Sequence, residues 1–234
     1  PLYWYEKIGD TENREGSDQF ALPGGKLDAD GYARHDAITD WSLSEFRNHY
    51  QDKSISKEDV FYYVYGLLHS PQYREKYESS LKKMLPRIPF AADFHGFSKA
   101  GRSLAKLHLG YETVEPWPVA EESMDLALVP KDLYHVEKMV YAKNSKEVDR
   151  TKIILNSRVR LIGIPLEAYE YVVNGKSAID WVMERYAISV EKNSGIRNDP
   201  NTWSDDPRYI IDLVKRVVRV SVETVRIVKN LPAL

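Results

Sequence analysis

Cysteine is absent from the 234-residue chain. That removes disulfides, thiolate nucleophiles and every zinc site that needs sulfur, and it fits a reducing, cytoplasmic setting. Long apolar runs are absent too. No stretch approaches the roughly 18 residues a membrane-spanning helix requires, and no basic-then-apolar leader opens the chain. A strong charge of one sign is missing: 33 Lys and Arg face 35 Asp and Glu, for a net charge of −2. A free-standing nucleic-acid-binding domain is usually basic, so the total argues mildly against one. Catalytic signatures are also lacking. Gly175-Lys176-Ser177 imitates the end of a phosphate-binding loop, but position 170 is Glu where that loop needs glycine. The six histidines (His35, His49, His69, His95, His108, His135) include no pair at i, i+4 with a glutamate. No lysine follows an acid by two positions, and Asn198-Asp199-Pro200-Asn201 is not the Asn-Pro-Pro-aromatic loop of an amino-methyltransferase. The sequence therefore selects no catalytic residue and no metal ligand. It opens on Pro1 and reads as a piece of a longer polypeptide.

What is present is a foldable pattern, with 43% hydrophobic residues. Turn residues crowd the start: Gly9-Asp10, Glu15-Gly16-Ser17, Pro23-Gly24-Gly25 and Asp30-Gly31. Residues 1–54 are expected to be irregular or short-stranded, with a short helix over 40–50 that uses Trp41, Leu43 and Phe46 as apolar contacts. Residues 55–234 are expected to form a helical domain. Ser56 and Asp59 resemble a capping box before Val60, Phe61, Val64, Leu67 and Leu68 at helical spacing. Ser70-Pro71 is a restart signal, serine as cap and proline at the first helical position. The second helix should run to Leu85, before Pro86, and a third from His95 to Leu109, before Gly110. Short β-branched runs over about 138–164 predict an inserted antiparallel sheet, with Asn144-Ser145-Lys146 as a hairpin connection. A helix over 177–186 and a long one over 207–229 follow. In the latter, Asp212–Arg216 and Arg219–Glu223 are spaced for ion pairs. The fold class is α+β: mainly helical, with a small antiparallel sheet and a long C-terminal helix.

Charge is uneven along the chain. Residues 71–110 carry Arg74, Lys76, Lys82, Lys83, Arg87, Lys99, Arg102 and Lys106 against Glu75, Glu78 and Asp93. Residues 111–137 reverse the sign. A basic stretch beside an acidic one has two readings: a phosphate-facing surface, or ordinary solvated helices that pair with each other. The aromatic stretch "FYYVYGLLHSPQYREKY" places Tyr62, Tyr65 and His69 at i, i+3, i+7 on one helix side. Such a stripe can stack bases. The favoured reading is packing at the corner made by Ser56, Ser70 and Pro71, because tyrosine buries an apolar body while its hydroxyl finds a partner.

Several blocks together, "AITDW", "ISKEDVFYYVYGLLHSPQYREKYESSLKKMLPRIPF", "FSKAGRSLAKLHLGYE", "LIGIPLEAYEYVVNGKSAIDW" and "PRYIIDLVKRVVRVSVETVRIV", resemble the C-terminal region of single-polypeptide (Type ISP) restriction-modification enzymes, often labelled DEAD/DEAH-box helicases. The resemblance covers the chain from about Asp36 onward. It implies a parent polypeptide with a nuclease, a helicase-like ATPase motor and a DNA adenine methyltransferase, using S-adenosylmethionine, ATP and Mg upstream of this piece. It implies for this piece a non-catalytic, target-recognition-associated role without a cofactor of its own. The partners would be double-stranded DNA and the upstream methyltransferase and helicase-like modules. It makes residues 1–54 the end of a target-recognition region, and it carries over no site residue. Arg74, Lys82, Lys83, Arg87, Lys99, Arg102 and Lys106 are DNA-contact candidates from charge alone. The alternative is a structural module that contacts protein and not DNA.

Overall fold

Local sequence chemistry sets the helix ends in the computed structural model, which describes residues 1–7, 31–83, 87–123 and 129–234. The turns expected over 9–30 and the helix end expected at Leu85-Pro86 lie outside the described residues. The chain forms two compact units, one of Pro1–Arg102 with Leu231–Leu234, the other of Ser103–Asn230. Mixed helix and small antiparallel sheets make it α+β, with a long C-terminal helix.

In the first unit, strands β1 (Tyr3–Lys7) and β2 (Tyr32–Asp36) pair antiparallel. Helix α1 (Asp40–Tyr50) starts on Thr39, whose hydroxyl accepts from the Ser42 amide. Helix α2 (Lys57–His69) starts on a complete capping box. The Ser56 side chain accepts from the Asp59 amide, and the Asp59 carboxylate accepts from the Ser56 amide. Each bond satisfies a backbone donor the helix leaves orphaned. Ser70 ends α2 and caps α3 (Pro71–Lys76), with Pro71 where its missing N–H costs nothing.

The second helix expected over 71–85 is instead two short ones. Tyr77, at φ −112° and ψ 14°, separates α3 from α4 (Glu78–Leu81). Ser79 and Ser80, inside α4, are weak helix formers, and the second piece stays about one turn long. Helix α5 (Phe94–Leu109) follows, its residues as far as Arg102 belonging to this unit. The core of this unit is Phe46, Ile55, Val60, Tyr63, Leu67, Tyr73, Ala91, Phe94 and Phe97. Trp41, expected as an apolar contact of α1, is 74% exposed; only Phe46 of that helix is buried.

Two glycines let α2 and α5 touch backbone to backbone. A Cβ at Gly101 would lie 1.8 Å from the Tyr62 carbonyl oxygen, and one at Gly66 would lie 2.4 Å from the Phe97 carbonyl oxygen. Neither obstacle is a movable side chain, so the helices must separate to admit a methyl group.

In the second unit the sheet has order β3-β6-β5-β4, formed by Ala120–Ser123, Val159–Ile162, Glu147–Ile154 and Val140–Asn144. The hairpin β4–β5 turns at Ser145, which takes a left-handed φ of 58°. Alternation supplies one buried face: Ile153 on β5, Val159 and Leu161 on β6. That face shares a core with Leu133 of the short helix α6 (Pro130–Leu133), helix α7 (Ala178–Arg185) and helix α8 (Tyr209–Lys229). The valines of α8 suit a strand, yet Val214, Val217, Val218 and Val222 recur at helical spacing and are all buried. Asn174 and Gly175, both at positive φ, make the turn between β7 (Val172–Val173) and β8 (Lys176–Ser177). The Gly175-Lys176-Ser177 sequence is therefore a hairpin turn and a helix cap: the Ser177 hydroxyl accepts from the Asp180 amide.

The ion pairs expected within α8 are not among those of the described residues. Asp212 pairs with Arg208 at 3.2 Å, and Glu223 with Arg226 at 3.3 Å. Arg216 donates to the Val114 carbonyl and Arg219 to those of Glu115 and Pro116. A long guanidinium prefers backbone acceptors left open by a loop to a neighbour on its own exposed face. The main charged cluster is Glu121, which accepts from Arg208 at 2.6 Å and from Lys215. Burial pushes the Glu121 carboxyl up, but the hydrogen bonds from Arg208 and Lys215 outweigh it and hold the carboxyl below its ordinary value.

Two outcomes follow. Gly101→Ala should lower the unfolding free energy by on the order of 1–3 kcal/mol or more in urea titrations, with the slope unchanged. Glu121 binds its proton less tightly when folded, so its stabilisation is complete above the unfolded carboxylate range and fades as pH falls through the depressed folded value. Melting temperature measured against pH should fall less steeply on the acid side for Glu121→Gln than for the unsubstituted chain.

Candidate nucleic-acid interface

The segment 87–91 belongs to no helix or strand, yet its backbone is held firmly. Tyrosine hydroxyls replace the missing ladder. Tyr73 donates to the Arg87 carbonyl at 2.9 Å and Tyr63 to the Pro89 carbonyl at 2.6 Å. The Ala91 amide donates to the Tyr63 hydroxyl at 2.8 Å, and Tyr50 donates to the Ala91 carbonyl at 2.6 Å. Tyr63 and Tyr73 are fully buried. Burial pushes the hydroxyls of Tyr50, Tyr63 and Tyr73 up, so each remains a protonated donor. Pro89 has no N–H, so its place in the segment leaves no donor unpaired. The outer side of the segment carries exposed Arg87 and Phe90, whose ring stacks on His49 at 4.1 Å.

The charge-selected cations fall into different environments. Arg102 is tied down: it reaches Glu58 at 3.4 Å and Asp59 at 3.2 Å, and its guanidinium lies 4.2 Å from the centre of the Tyr62 ring. Arg74 donates through Nε to the Leu68 carbonyl at 2.9 Å, which fixes one edge of its guanidinium beside the α2–α3 corner. Lys82 pairs with Glu78 at 2.7 Å, with both side chains about two-thirds exposed. Such a pair is weak and exchangeable. Lys83 and Arg87 are exposed, and neither side chain has a partner among the described residues. Lys99 is exposed on α5 in the first unit, while Lys106 belongs to the second. In the first unit Lys83 and Arg87 are thus the candidates with no partner among the described residues, and Lys82, held only in an exposed pair with Glu78, lies beside them in sequence. Ammonium and guanidinium groups so placed can donate to phosphate oxygens.

The tyrosine stripe is offset from the one expected. Tyr62, Tyr65 and His69 are half-buried. Tyr62 lies under Arg102, and His69 Nδ1 sits 2.7 Å from the Tyr65 carbonyl. The residues that organise the segment, Tyr63, Tyr73 and Tyr50, were not singled out by sequence. A signal was there: Val60, Tyr63 and Leu67 share the spacing i, i+3, i+7, and all three are buried. Among the described residues no three His, Cys, Asp or Glu side chains gather as metal ligands would, and no helix is long and apolar enough to cross a membrane.

Known proteins place this fold. The family described as Type ISP C-terminal specificity domain matches residues 1–213. The whole chain is similar to 14% of the ATP-dependent Type ISP restriction-modification enzyme LlaBIII, solved bound to DNA, at 35% identity and a TM-score of 0.79. It is similar over 86% of its length to 17% of a nuclease-deletion mutant of the Type ISP restriction-modification enzyme LlaGI, in complex with a DNA substrate mimic, at 38% identity and a TM-score of 0.71. It is similar over 90% of its length to 21% of DrdV in a DrdV–DNA complex, at 38% identity and a TM-score of 0.75. The chain thus spans at most 21% of the length of these proteins. No curated protein matches. A match to the family over residues 1–213, and likeness at 35% identity over its full length, assign this chain to the Type ISP C-terminal specificity domains.

Proposed function

We propose that this chain is the DNA-specificity module of a Type ISP restriction-modification polypeptide. It helps position duplex DNA and docks onto the methyltransferase and helicase-like motor of the same polypeptide. The observation that carries the reading is full-length likeness, at 35% identity, to an enzyme solved bound to DNA. The unpaired cations Lys83 and Arg87, with the exposed and exchangeable Lys82–Glu78 pair beside them, support it, since phosphate contacts fix register and orientation on a duplex without reading sequence. Arg102, held by two acids and an aromatic ring, is a packing residue in this reading. No chemical step is assigned to the chain. Cleavage, methyl transfer and ATP hydrolysis, with their S-adenosylmethionine, ATP and Mg, belong to other parts of such a polypeptide.

A second reading, a structural module that contacts only protein, is favoured by the net charge of −2 and by the acids that already hold Arg102. Salt dependence separates the two. Each phosphate that is no longer neutralised should reduce the slope of log affinity against log salt by about 0.9. In the full polypeptide, changing Lys82, Lys83 and Arg87 together to Ala should weaken binding to every duplex and flatten the slope by about 2 to 3. Unchanged affinity with an unchanged slope would establish the protein-only reading.

A further inference from the structure

The β1–β2 ribbon has one face that packing does not explain. Its register pairs Tyr3 with Asp36, Tyr5 with Arg34 and Lys7 with Tyr32 on one face, and Trp4 with His35 and Glu6 with Ala33 on the other. On the second face Ala33 is buried and His35 half-buried, while Trp4, 43% exposed, stacks on His35 at 4.1 Å. On the first face Tyr5 is 58% exposed, and Arg34 and Lys7 are exposed as well. One end of the ribbon is anchored to the first turn of α2. The Tyr3 hydroxyl donates to Glu58 at 2.8 Å, and Lys57 pairs with Asp36 at 3.1 Å. The Ala37 amide closes that end on the Leu2 carbonyl at 3.0 Å. A two-stranded ribbon is marginal alone, and these bonds give it a fixed attitude.

Arg34 is the unusual residue. Its guanidinium carbon lies 4.3 Å from the centre of the Tyr3 ring. Stacking uses the flat face of the group and leaves the N–H donors on its edge available. Those donors have no acceptor among the described residues. A planar fork held against an aromatic ring, its donors without an acceptor among the described residues, matches the paired O6 and N7 acceptors of guanine in the major groove. The groove, about 12 Å wide, admits a two-stranded ribbon whose strands are about 4.8 Å apart.

We infer that the β1–β2 ribbon is a base-reading element that enters the major groove, with Arg34 donating to a guanine, Tyr5 against the neighbouring base edge and Lys7 toward the backbone. This rests on the DNA-binding function proposed for the chain and assigns within it a division of labour. The cations at 82–87 position the duplex; the ribbon reads it. Tyr3 is a positioning residue, acting through Arg34.

The test uses the full polypeptide and a pool of duplexes with randomised sequence, sequencing the bound fraction. Arg34→Lys keeps the charge and loses the fork. It should leave the salt slope and non-specific affinity unchanged while erasing preference at one base pair, at a cost to the preferred sequence of about tenfold or more. Arg34→Gln should move that preference from guanine toward adenine, since a carboxamide pairs with adenine N6 and N7. Such a gain cannot come from misfolding. If both variants select the same sequences as the unsubstituted protein, or lose affinity equally for every duplex, the ribbon does not read bases. If the unsubstituted protein retains no duplex at all, the DNA-binding function itself fails, and this inference with it.

Discussion

The hydroxyl of Tyr63 sits between the Pro89 carbonyl and the Ala91 amide, donating to the first and accepting from the second. Much of the first unit is organised around that constraint. A chain segment without regular structure must still satisfy its polar backbone groups when they are buried. Here phenols on α1, α2 and α3 do so, with Tyr63 and Tyr73 inside the core and the half-buried Tyr50 packed against it. The arrangement demands that α2 keep a fixed rotation about its axis. The capping box at Ser56 and the restart at Ser70-Pro71 fix its ends, and the Gly66–Gly101 approach fixes its distance from α5.

The second unit solves its problem differently. Its buried layer is aliphatic, with the sheet face and the valine stripe of α8 in one core. Of the hydroxyls buried in α8, that of Ser221 donates to the Val217 carbonyl at 2.7 Å, one turn back, and that of Thr224 pairs with His108 Nε2 at 3.0 Å. At the margin Glu121 is neutralised by Arg208 and Lys215. A half-buried carboxylate of this kind specifies its neighbours more than it adds stability, because desolvation offsets most of the attraction.

Much of the fold was legible in the sequence because local signals decide it. Ser56 with Asp59, and Ser70 with Pro71, are bonded within three residues of themselves, so the pattern contains the structure. The strands over 138–164 and the long helix over 207–229 were readable from periodicity and length. The break at Tyr77 was not, since two serines only weaken a helix and tertiary packing decides the outcome. Nor was the choice of Tyr63 over Tyr62. Adjacent aromatics present the same composition on two helix faces, and the face is chosen by partners at 87–91 and on α5. The expected α8 ion pairs failed for a related reason: an arginine side chain is long enough to choose acceptors far away in sequence. The basic stretch was visible as composition, but which of its cations stay uncommitted depends on Glu58 and Asp59, distant neighbours of Arg102. The ribbon face of Tyr5, Lys7 and Arg34 needs the β1–β2 register, which joins strands separated by a long intervening segment.

The central claim is that a tyrosine-held segment and the residues just before it present cations to a DNA backbone. The most direct measurement is a structure of the full polypeptide on duplex DNA. The account predicts Lys83 Nζ and the Arg87 guanidinium within about 2.7–3.2 Å of phosphate oxygens, with the Tyr63 and Tyr73 hydroxyl bonds to Pro89 and Arg87 intact. A structure in which both cations face another part of the polypeptide, or solvent, while the duplex lies elsewhere would contradict it.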